Sequence, residues 1–141
     1  MSTNIFREVV EKYSDSRGDL VKLLEGNIKS SLLITSKKGS VRANHYHKKD
    51  HHYCYVVSGE IKYLTRPIGA SKGFELYTIE SKKMFYTPEQ LEHLMIFSKD
   101  TIFLTFSKNS FRSQKEYEDD LVRVDFLSDP KVRDLVEQFK S

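Results

Sequence analysis

Short apolar segments rich in β-branched and aromatic residues recur through the middle of the chain, and such segments predict strands. Seven segments show the pattern, at 31–36, 52–57, 60–65, 74–79, 84–87, 92–97 and 101–106. Strands that recur at such short intervals, with turn signals between them, predict an all-β sandwich or barrel. The turn signal Ser58-Gly59 separates the second segment from the third, so we expect these two strands to pair as a hairpin.

One helical pattern lies near the C-terminus. Ser128 and Asp129 can cap a helix, and Pro130 suits the first helical position. An apolar stripe with the spacing i, i+3, i+4 and i+7 follows, formed by Val132, Leu135, Val136 and Phe139. The pattern predicts a short helix over about 129–140, packed either on the outside of its own barrel or on a partner subunit.

Length, charge and cysteine content restrict the class of protein. The 141 residues suit one domain, which we expect to span 1–141. The net charge of +3, from 23 basic and 20 acidic residues, is too small to indicate a nucleic-acid partner. Cys54 is the single cysteine, so no internal disulfide is possible and a reducing compartment is favoured. No signal peptide or membrane-spanning run is apparent, and we expect a cytoplasmic protein without a membrane partner.

Four of the five histidines fall within eight residues of one another. His45 and His47 are two residues apart in a predicted strand, so both imidazoles face the same side. His52 begins the next strand and can return to that side, whereas His51 faces away. His93 begins a later strand and can complete the cluster. Neutral imidazole is a common ligand of transition metals, so the sequence predicts a site for one divalent metal, Zn, Fe, Mn or Ni. The alternative is that two or three of these histidines are only hydrogen-bonded or exposed.

The spacing of these residues resembles the first motif of the cupin superfamily, G-(x)5-H-x-H-(x)3,4-E-(x)6-G. The match covers 39–59, and its matched residues are Gly39, His45, His47, His52 and Gly59. His52 stands where the family usually has glutamate, which removes a negative charge from the site. Cupins with four histidines exist, and other cupins act without metal, using the H-x-H histidines as acid/base groups.

The second cupin motif is matched only in part, over 82–97. Pro88 and His93 are present, but the two glycines and the asparagine of the motif are replaced by Lys82, Gln90 and Phe97. The resemblance implies an all-β, single-domain cupin, a jelly-roll barrel or double-stranded β-helix with a short C-terminal helix. It also implies that the histidines at the four matched positions point into the barrel.

The residues that flank the histidines are similar to those of sugar-modifying cupins. The segment Val41-Arg-Ala-Asn-His-Tyr-His-Lys48 resembles the R-G-x-H-x-H-K segment of the nucleotide-sugar 3,4-ketoisomerases and the R-G-x-H-Y-Q segment of the 3,5-epimerases. Ala43 replaces the usual glycine. The segment Arg17–Leu24 resembles the R-G-x-L first strand of the same enzymes. The resemblance implies an enzyme that isomerises or epimerises a nucleotide-linked keto-sugar in surface-polysaccharide biosynthesis, without an organic cofactor.

Such a reaction moves a proton from a carbon beside a carbonyl group, and histidine suits that role. Without a metal, His45 is the expected base and His47 the second acid/base group. With a metal acting as a Lewis acid, a tyrosine would have to carry the protons. The candidate tyrosines are Tyr46, Tyr53 and Tyr86.

Arg42 is expected to bind the diphosphate or a sugar hydroxyl, because a guanidinium makes paired contacts with phosphate oxygens. Lys48 and Tyr86 are the other predicted substrate-binding residues. Two further functions stay open: a metal-dependent cupin oxygenase acting on a small organic substrate, and a non-catalytic cupin that binds sugar or metal. By analogy with small single-barrel cupins, we expect a homodimer.

Overall fold

The computed structural model describes residues 4–70, 73–109 and 113–140. The first strands are β1 (Phe6–Arg7), β2 (Glu11–Asp15), β3 (Gly18–Lys22), β4 (Ser30–Ser36), β5 (Val41–His47) and β6 (His52–Ser58). The next strands are β7 (Glu60–Pro67), β8 (Glu75–Glu80), β9 (Met84–Thr87), β10 (Leu91–Phe97) and β11 (Thr101–Ser107). The last elements are helix α1 (Gln114–Asp119), strand β12 (Leu121–Arg123), a 3₁₀ turn (Phe126–Ser128) and helix α2 (Pro130–Gln138).

Two five-stranded antiparallel sheets make up most of the fold. The first sheet has the strand order β1-β9-β6-β11-β4, and the second has the order β12-β5-β10-β7-β8. From β4 to β12, successive strands lie in alternate sheets, except that β7 and β8 are neighbours. This winding is a jelly-roll topology, and it confirms the all-β cupin fold expected from the sequence. Strands β2 and β3 form a two-stranded ribbon.

The seven strands predicted from the short apolar segments are all present, with ends that differ by at most two residues. The segment 17–24, which resembles a first strand of the sugar-modifying cupins, contains β3. Helix α1 was not predicted, because its exposed, charged sequence has no apolar stripe. Within the described residues, no helix is long and apolar enough to cross a membrane.

Apolar side chains fill the space between the sheets over most of their length. The buried aromatic members of this core are Tyr63, Phe85, Phe97 and Phe103. At one end the inward positions change from apolar to polar. On β6 the buried residues Val56 and Cys54 give way to His52, and on β11 Phe103 gives way to Thr105. The core therefore opens at that end into a polar cavity.

The expected hairpin between β6 and β7 is wrong. Strand β6 pairs with β9 and β11, whereas β7 pairs with β8 and β10 in the other sheet. Only Gly59 separates Ser58 from Glu60, which is too short for a two-residue hairpin turn. Its φ of +101° instead carries the chain from one sheet to the other. Alternation indicates which face of a strand is buried, but it does not identify the strand's neighbours.

This crossing leads to a prediction for Gly59→Ala. A Cβ at this position would lie 2.5 Å from the Asp100 backbone oxygen and 2.7 Å from the Thr101 Cα, and the backbone stays left-handed. We expect the free energy of unfolding, measured by urea denaturation, to fall by about 2–4 kcal/mol. Gly69→Ala is the matched control, because Gly69 has a φ of +84° but nothing lies within 4 Å of the position that an alanine methyl group would take. Equal losses in the two variants would show that close approach at Gly59 is unimportant.

Helix α2 covers the outer face of the second sheet. Its buried residues Val132 and Val136 pack with Leu64, Leu94 and Ile96 of that sheet. Asp129 caps the helix by accepting a hydrogen bond from the Lys131 backbone N–H at 2.9 Å. The predicted helix is confirmed, and of the two packing partners considered it contacts its own sheet.

Candidate active site

Four histidines converge at the polar end of the sandwich. The ring centroids of His45 and His47 are 4.8 Å apart, as are those of His45 and His93. The His52 ring lies 5.1 Å from that of His47. All four side chains are buried, with exposures of 9% or less. His51 lies on the other face of the sheet, where its Nδ1 is 2.9 Å from the Tyr86 hydroxyl.

A bulge in β5 sets the direction of the first histidine. Ala43 and Asn44 both have left-handed backbones, with φ of 70° and 63°, and the pairing of β5 with β10 shifts register beside them. Two hydrogen bonds from the C-terminal part of the chain hold Asn44 in place. The Asn44 carbonyl accepts one from the Val124 N–H at 3.0 Å, and the Asn44 side-chain oxygen accepts the other from the Phe126 N–H at 3.2 Å. The bulge occurs where the sugar-modifying cupins carry glycine, and it leaves His45 facing inward.

Two buried carboxylates accompany the histidines. Asp120 Oδ2 lies 3.4 Å from His47 Nδ1, and the Asp120 carboxylate accepts hydrogen bonds from the backbone N–H groups of Lys49 and Asp50 at 2.9 and 3.1 Å. Asp50 Oδ2 lies 3.7 Å from His52 Nδ1. Asp50 therefore contributes to both pairs. Its backbone N–H holds the Asp120 carboxylate beside His47, and its own carboxylate lies beside His52.

Hydrogen bonds from strand β11 and the residues after it fix the Asp50 side chain. The Ser107 hydroxyl donates to Asp50 Oδ1, and the Asn109 amide donates to the same oxygen at 3.1 Å. Burial pushes the pKa of Asp50 upward, but the hydrogen bonds from His52, Ser107 and Asn109 outweigh it and lower the pKa to about 2. Asp50 is therefore ionised at neutral pH.

Three of the four histidines, His45, His47 and His93, are neutral at neutral pH. Burial, reinforced by the neighbouring imidazoles and Arg123, lowers the pKa of His45 to about 3. Burial and His52 lower the pKa of His47 to about 4, although Asp50 and Asp120 oppose the fall. Burial also holds the pKa of His93 well below its ordinary value. Neutral imidazoles can accept a proton or bind a metal ion.

The hydrogen bond of His93 identifies its tautomer. His93 Nδ1 lies 2.9 Å from the Leu91 carbonyl oxygen, and because a carbonyl only accepts, Nδ1 must carry the hydrogen. The Nε2 atom of His93 is then an unprotonated acceptor. Among the described residues, three buried ring nitrogens have no hydrogen-bond partner, and they are His45 Nδ1, His47 Nδ1 and His47 Nε2. His47 Nδ1 faces the Asp120 carboxylate, whereas His45 Nδ1 and His47 Nε2 have no hydrogen-bond partner among the described residues.

A cavity of about 790 Å³ opens above the histidines, within the size range of small-molecule sites. Its apolar wall includes Ile34, Met95 and Phe103, and its charged groups include Arg42 and Arg123. Arg42 donates from Nε to the Ser36 hydroxyl at 2.7 Å and from Nη2 to the Thr35 carbonyl at 3.0 Å. A single cavity thus combines cationic, apolar and imidazole surfaces.

The predicted site residues divide into two groups. The cavity contains Arg42 and the four histidines that were expected to converge. It does not contain Tyr53 or Tyr86, which lie on the outer face of the first sheet with ring centroids 4.8 Å apart. Tyr46 alternates with the inward histidines on β5, and Lys48 is exposed beyond the end of that strand. Residues i and i+1 on a strand face opposite sides, so His52 and Tyr53 cannot share the cavity.

Several residues that line the cavity are not evident from the sequence pattern. Asp50 falls in a segment that reads as a polar turn, and the segment 113–123 carries no motif. From that segment Tyr117 and Arg123 line the cavity, and Asp120 contacts His47. The three residues are spaced three positions apart, and this spacing was the one signal in the sequence. Because α1 ends at Asp119 and β12 begins at Leu121, however, the three residues share neither a helical nor a strand period.

Two residues of the second cupin motif keep the backbone conformation of the glycines that they replace. Lys82 and Gln90 occupy the motif's glycine positions, and both have left-handed backbones, with φ of 65° and 59°. Glycine adopts this conformation more easily than other residues. The turn geometry of the motif is therefore kept although its glycines are absent, which accounts for the weak second match.

No protein-family profile matches the sequence, and the search of curated proteins gave no match. Solved structures do match. The sugar 3,4-ketoisomerase QdtA of Thermoanaerobacterium thermosaccharolyticum, in complex with TDP, aligns with a TM-score of 0.67 at 19% identity, over 82% of this chain and 84% of that one. The TDP-quinovose 3,4-ketoisomerase WlaRB of Campylobacter jejuni aligns with a TM-score of 0.66 at 20% identity, over 80% and 87%.

A third similar structure is ChmJ, a 3′-monoepimerase of Streptomyces bikiniensis in complex with dTDP-quinovose. Its TM-score is 0.71 at 17% identity, over 90% of this chain and 71% of that chain. The chain therefore has the RmlC-like cupin fold, the fold that its motifs indicated. Within that fold it is structurally similar to sugar 3,4-ketoisomerases and epimerases.

Proposed function

We propose that this protein isomerises or epimerises a nucleotide-linked keto-sugar, acting in the cytoplasm in surface-polysaccharide biosynthesis. The observation that carries the proposal is that neutral, buried His47 lines a cavity of about 790 Å³ and is paired with the Asp120 carboxylate. The similar structures support it, since QdtA was solved with TDP and with TDP-4-keto-6-deoxyglucose. A metal-independent proton transfer is the reaction that this residue set supports best.

The proposed first step removes a proton from the carbon beside the sugar carbonyl. His47 takes the proton on Nε2, the C–H electron pair forms the C=C bond of an enolate, and the carbonyl oxygen gains the negative charge. Asp120 faces Nδ1 at 3.4 Å and stabilises the imidazolium that results. For the isomer, a proton returns to the former carbonyl carbon, while the hydroxyl on the adjacent carbon loses its proton and becomes the new carbonyl and the enolate oxygen gains a proton. For the epimer, a proton is delivered to the opposite face of the carbon that lost it.

This assignment moves the base from His45, which the sequence favoured, to His47. A pKa of about 3 makes His45 a weaker base, and Arg123 adds to the fall in its pKa. His47 has two carboxylates that oppose the fall. We propose that His45 and His93 instead contact the sugar, and that the cationic side of the cavity, Arg42 with Arg123, receives the diphosphate.

Conversion of TDP-4-keto-6-deoxyglucose in deuterium oxide tests the proposal. We expect the NMR signal of the proton beside the carbonyl to disappear as deuterium enters and a new keto-sugar forms. TDP alone should raise the melting temperature by several degrees, because a ligand that binds only the folded state stabilises it. Neither exchange nor stabilisation with thymidine, uridine or guanosine diphosphates and their keto-sugars would contradict the proposal.

A metal-dependent oxygenase is the second candidate, and a specific observation favours it. Ligand atoms of His45, His47 and His93 lie within 4.8 Å of one another, and so do those of His47, Asp50 and His52. The unpartnered nitrogens of His45 and His47 suit a divalent metal such as Zn, Fe, Mn or Ni. A metal bound there would act as a Lewis acid, and the histidines would hold it.

Metal analysis separates the two functions. For the acid/base enzyme we expect less than stoichiometric metal and full isomerase activity after dialysis against a chelator. One equivalent of Fe or Mn, with oxygen uptake that the chelator abolishes, would instead support the oxygenase. Tight sugar or metal binding without any turnover would support a non-catalytic cupin.

We also propose that the protein forms a homodimer through the outer face of the first sheet. Helix α2 covers the outer face of the second sheet, whereas the first sheet exposes Leu33, Val57 and Ile102. Contiguous apolar strands of this kind favour association. Light scattering should give twice the chain mass, and Leu33→Lys should lower it; a monomeric mass for the unaltered protein would contradict the proposal.

A further inference from the structure

The strand that carries Arg123 is short and lies at the edge of its sheet. Strand β12 has three residues, and in the second sheet it is hydrogen-bonded only to β5, where Arg123 lies opposite His45. Before the strand, the buried Asp120 carboxylate holds the chain through the backbone N–H groups that it accepts. Arg123 is the last residue of the strand, so its place in the cavity depends on what holds the chain just beyond it.

Asn44 provides that second attachment. Its carbonyl and its side-chain oxygen accept the hydrogen bonds from the backbone N–H groups of Val124 and Phe126. Asn44 is next to His45 in the chain, and Val124 is next to Arg123. One asparagine therefore links the backbone beside the first histidine to the backbone beside the cation. The cavity is lined by Ala43 and His45 but not by Asn44, so Asn44 can act only through its neighbours.

The donor of the side-chain bond is itself fixed. Phe126 is fully buried, and the Arg66 guanidinium carbon lies 4.2 Å from the centre of its ring. Arg66 Nε donates to Glu92 Oε1 at 2.7 Å, and the two side chains are only 11% and 7% exposed. An arginine stacked on an aromatic ring and held by a carboxylate restricts that ring to one position. The Phe126 N–H is therefore a firm anchor for Asn44.

The backbone of the bulge needs an anchor of this kind. Ala43 and Asn44 both have a positive φ, a conformation that strains residues other than glycine. Such strain persists only where the surrounding structure holds the backbone in place. Asparagine tolerates the left-handed conformation better than most residues. Its side-chain oxygen also supplies the acceptor for the Phe126 N–H, so this residue type meets both requirements at once.

We propose that Asn44 is a positioning residue, which holds His45 and Arg123 in the arrangement that receives the sugar and the diphosphate. The inference rests on the proposed isomerase or epimerase function. Without the Asn44 side chain, the bulge is held less firmly, and a change of register in a strand turns its side chains toward the other face. The end of β12 is released at the same time. The two sides of the cavity thus depend on one residue outside it.

Asn44→Gly tests the proposal, because glycine adopts the left-handed backbone easily and only the side-chain acceptor is lost. At a temperature well below melting, we expect the Kd for TDP, measured by calorimetry, to rise about 10-fold as Arg123 is displaced. With TDP-4-keto-6-deoxyglucose, kcat should fall about 10-fold as His45 turns away. Asn44→Asp keeps an acceptor oxygen and a tolerance for positive φ, so it should restore both values to within about threefold.

Asp129→Ala is the matched control. It also removes a side-chain acceptor from a backbone N–H, that of Lys131 at 2.9 Å, but it does so at the start of α2. Its melting temperature should fall about as far as that of Asn44→Gly, while its Kd for TDP and its kcat stay unchanged. An Asn44→Gly variant with the Kd and kcat of the unaltered protein would overturn the proposal, as would an Asn44→Asp variant no better than Asn44→Gly.

The NMR signals of the His45 imidazole test the positioning without any substrate. They should move in Asn44→Gly and keep their positions in Asp129→Ala. If they do so while the unaltered protein binds no TDP and converts no nucleotide-linked keto-sugar, the proposed function fails and the positioning of His45 stands. If they do not move in Asn44→Gly, the positioning role is wrong, whatever reaction the protein catalyses.

Discussion

Replacing His47 by asparagine is expected to lower kcat for a nucleotide-linked keto-sugar by about 10³-fold, the scale of a lost general base. The side-chain amide of asparagine takes about the position of the histidine Nδ1, but it cannot accept the substrate's proton. The cavity wall and its two arginines are unchanged, so TDP should still bind. Turnover followed by NMR and TDP binding followed by calorimetry measure the two effects separately.

Asp120→Asn tests the partner of the base. Its expected loss in kcat is about 10²-fold, because the imidazolium loses the carboxylate that faces Nδ1 at 3.4 Å. His51→Asn is the matched control, since His51 lies on the other face of the sheet. If His45→Asn abolishes turnover while His47→Asn keeps more than a tenth of it, the base is His45 as the sequence first indicated.

Acidification is expected to destabilise the protein well before its carboxylates titrate. The pKa of His45, His47 and His93 is depressed in the folded state, whereas the unfolded chain binds protons at ordinary pKa values near 6.5. Stability from these groups is fully present above pH 6.5 and is lost as the pH falls toward the folded values. Between pH 7 and pH 5 we expect a loss on the order of 5 kcal/mol in the free energy of unfolding, or somewhat under 2 kcal/mol for each histidine.

Urea denaturation at a series of pH values, with a chelator present, measures this slope. In His45→Asn the slope between pH 7 and pH 5 should fall by about a third, since one of three contributing histidines is gone. In His51→Asn it should not change. Asp50 affects the free energy of unfolding only when the pH falls below the ordinary pKa of 3.8, because its pKa in the folded protein is about 2. A protein equally stable at pH 7 and pH 5 would show that the imidazoles are not held neutral.

Much of the fold could be predicted from the sequence, because short β-rich apolar segments indicate the strands and successive side chains of a strand face opposite sides. The same rule separated His51 from His52 and brought His45 and His47 to one side. It failed at Gly59, where a single residue sends the chain to the opposite sheet. Pairing between strands depends on backbone direction, which the apolar pattern does not encode.

The candidate site was predictable only where a motif marks it. The histidines lie at fixed spacing in β5, β6 and β10, so they could be recognised. Tyr117 and Asp120 could not, because Tyr117 lies on the short helix α1 and Asp120 is the one residue between α1 and β12, so no single period describes them. Tyr53 and Tyr86 were proposed from residue type alone, and the alternation of β6 turns Tyr53 outward.

The cavity is lined by two parts of the chain that differ in how much they contribute to the core. The histidine strands also build the core, so changes to them threaten the fold. Tyr117 and Arg123 belong to the segment 113–123, in which every residue except Asp120 is exposed or half-buried. Substitutions at the exposed and half-buried positions of that segment therefore change the lining of the cavity at little cost in stability. A laboratory selection for a changed ligand preference should therefore find most of its solutions there.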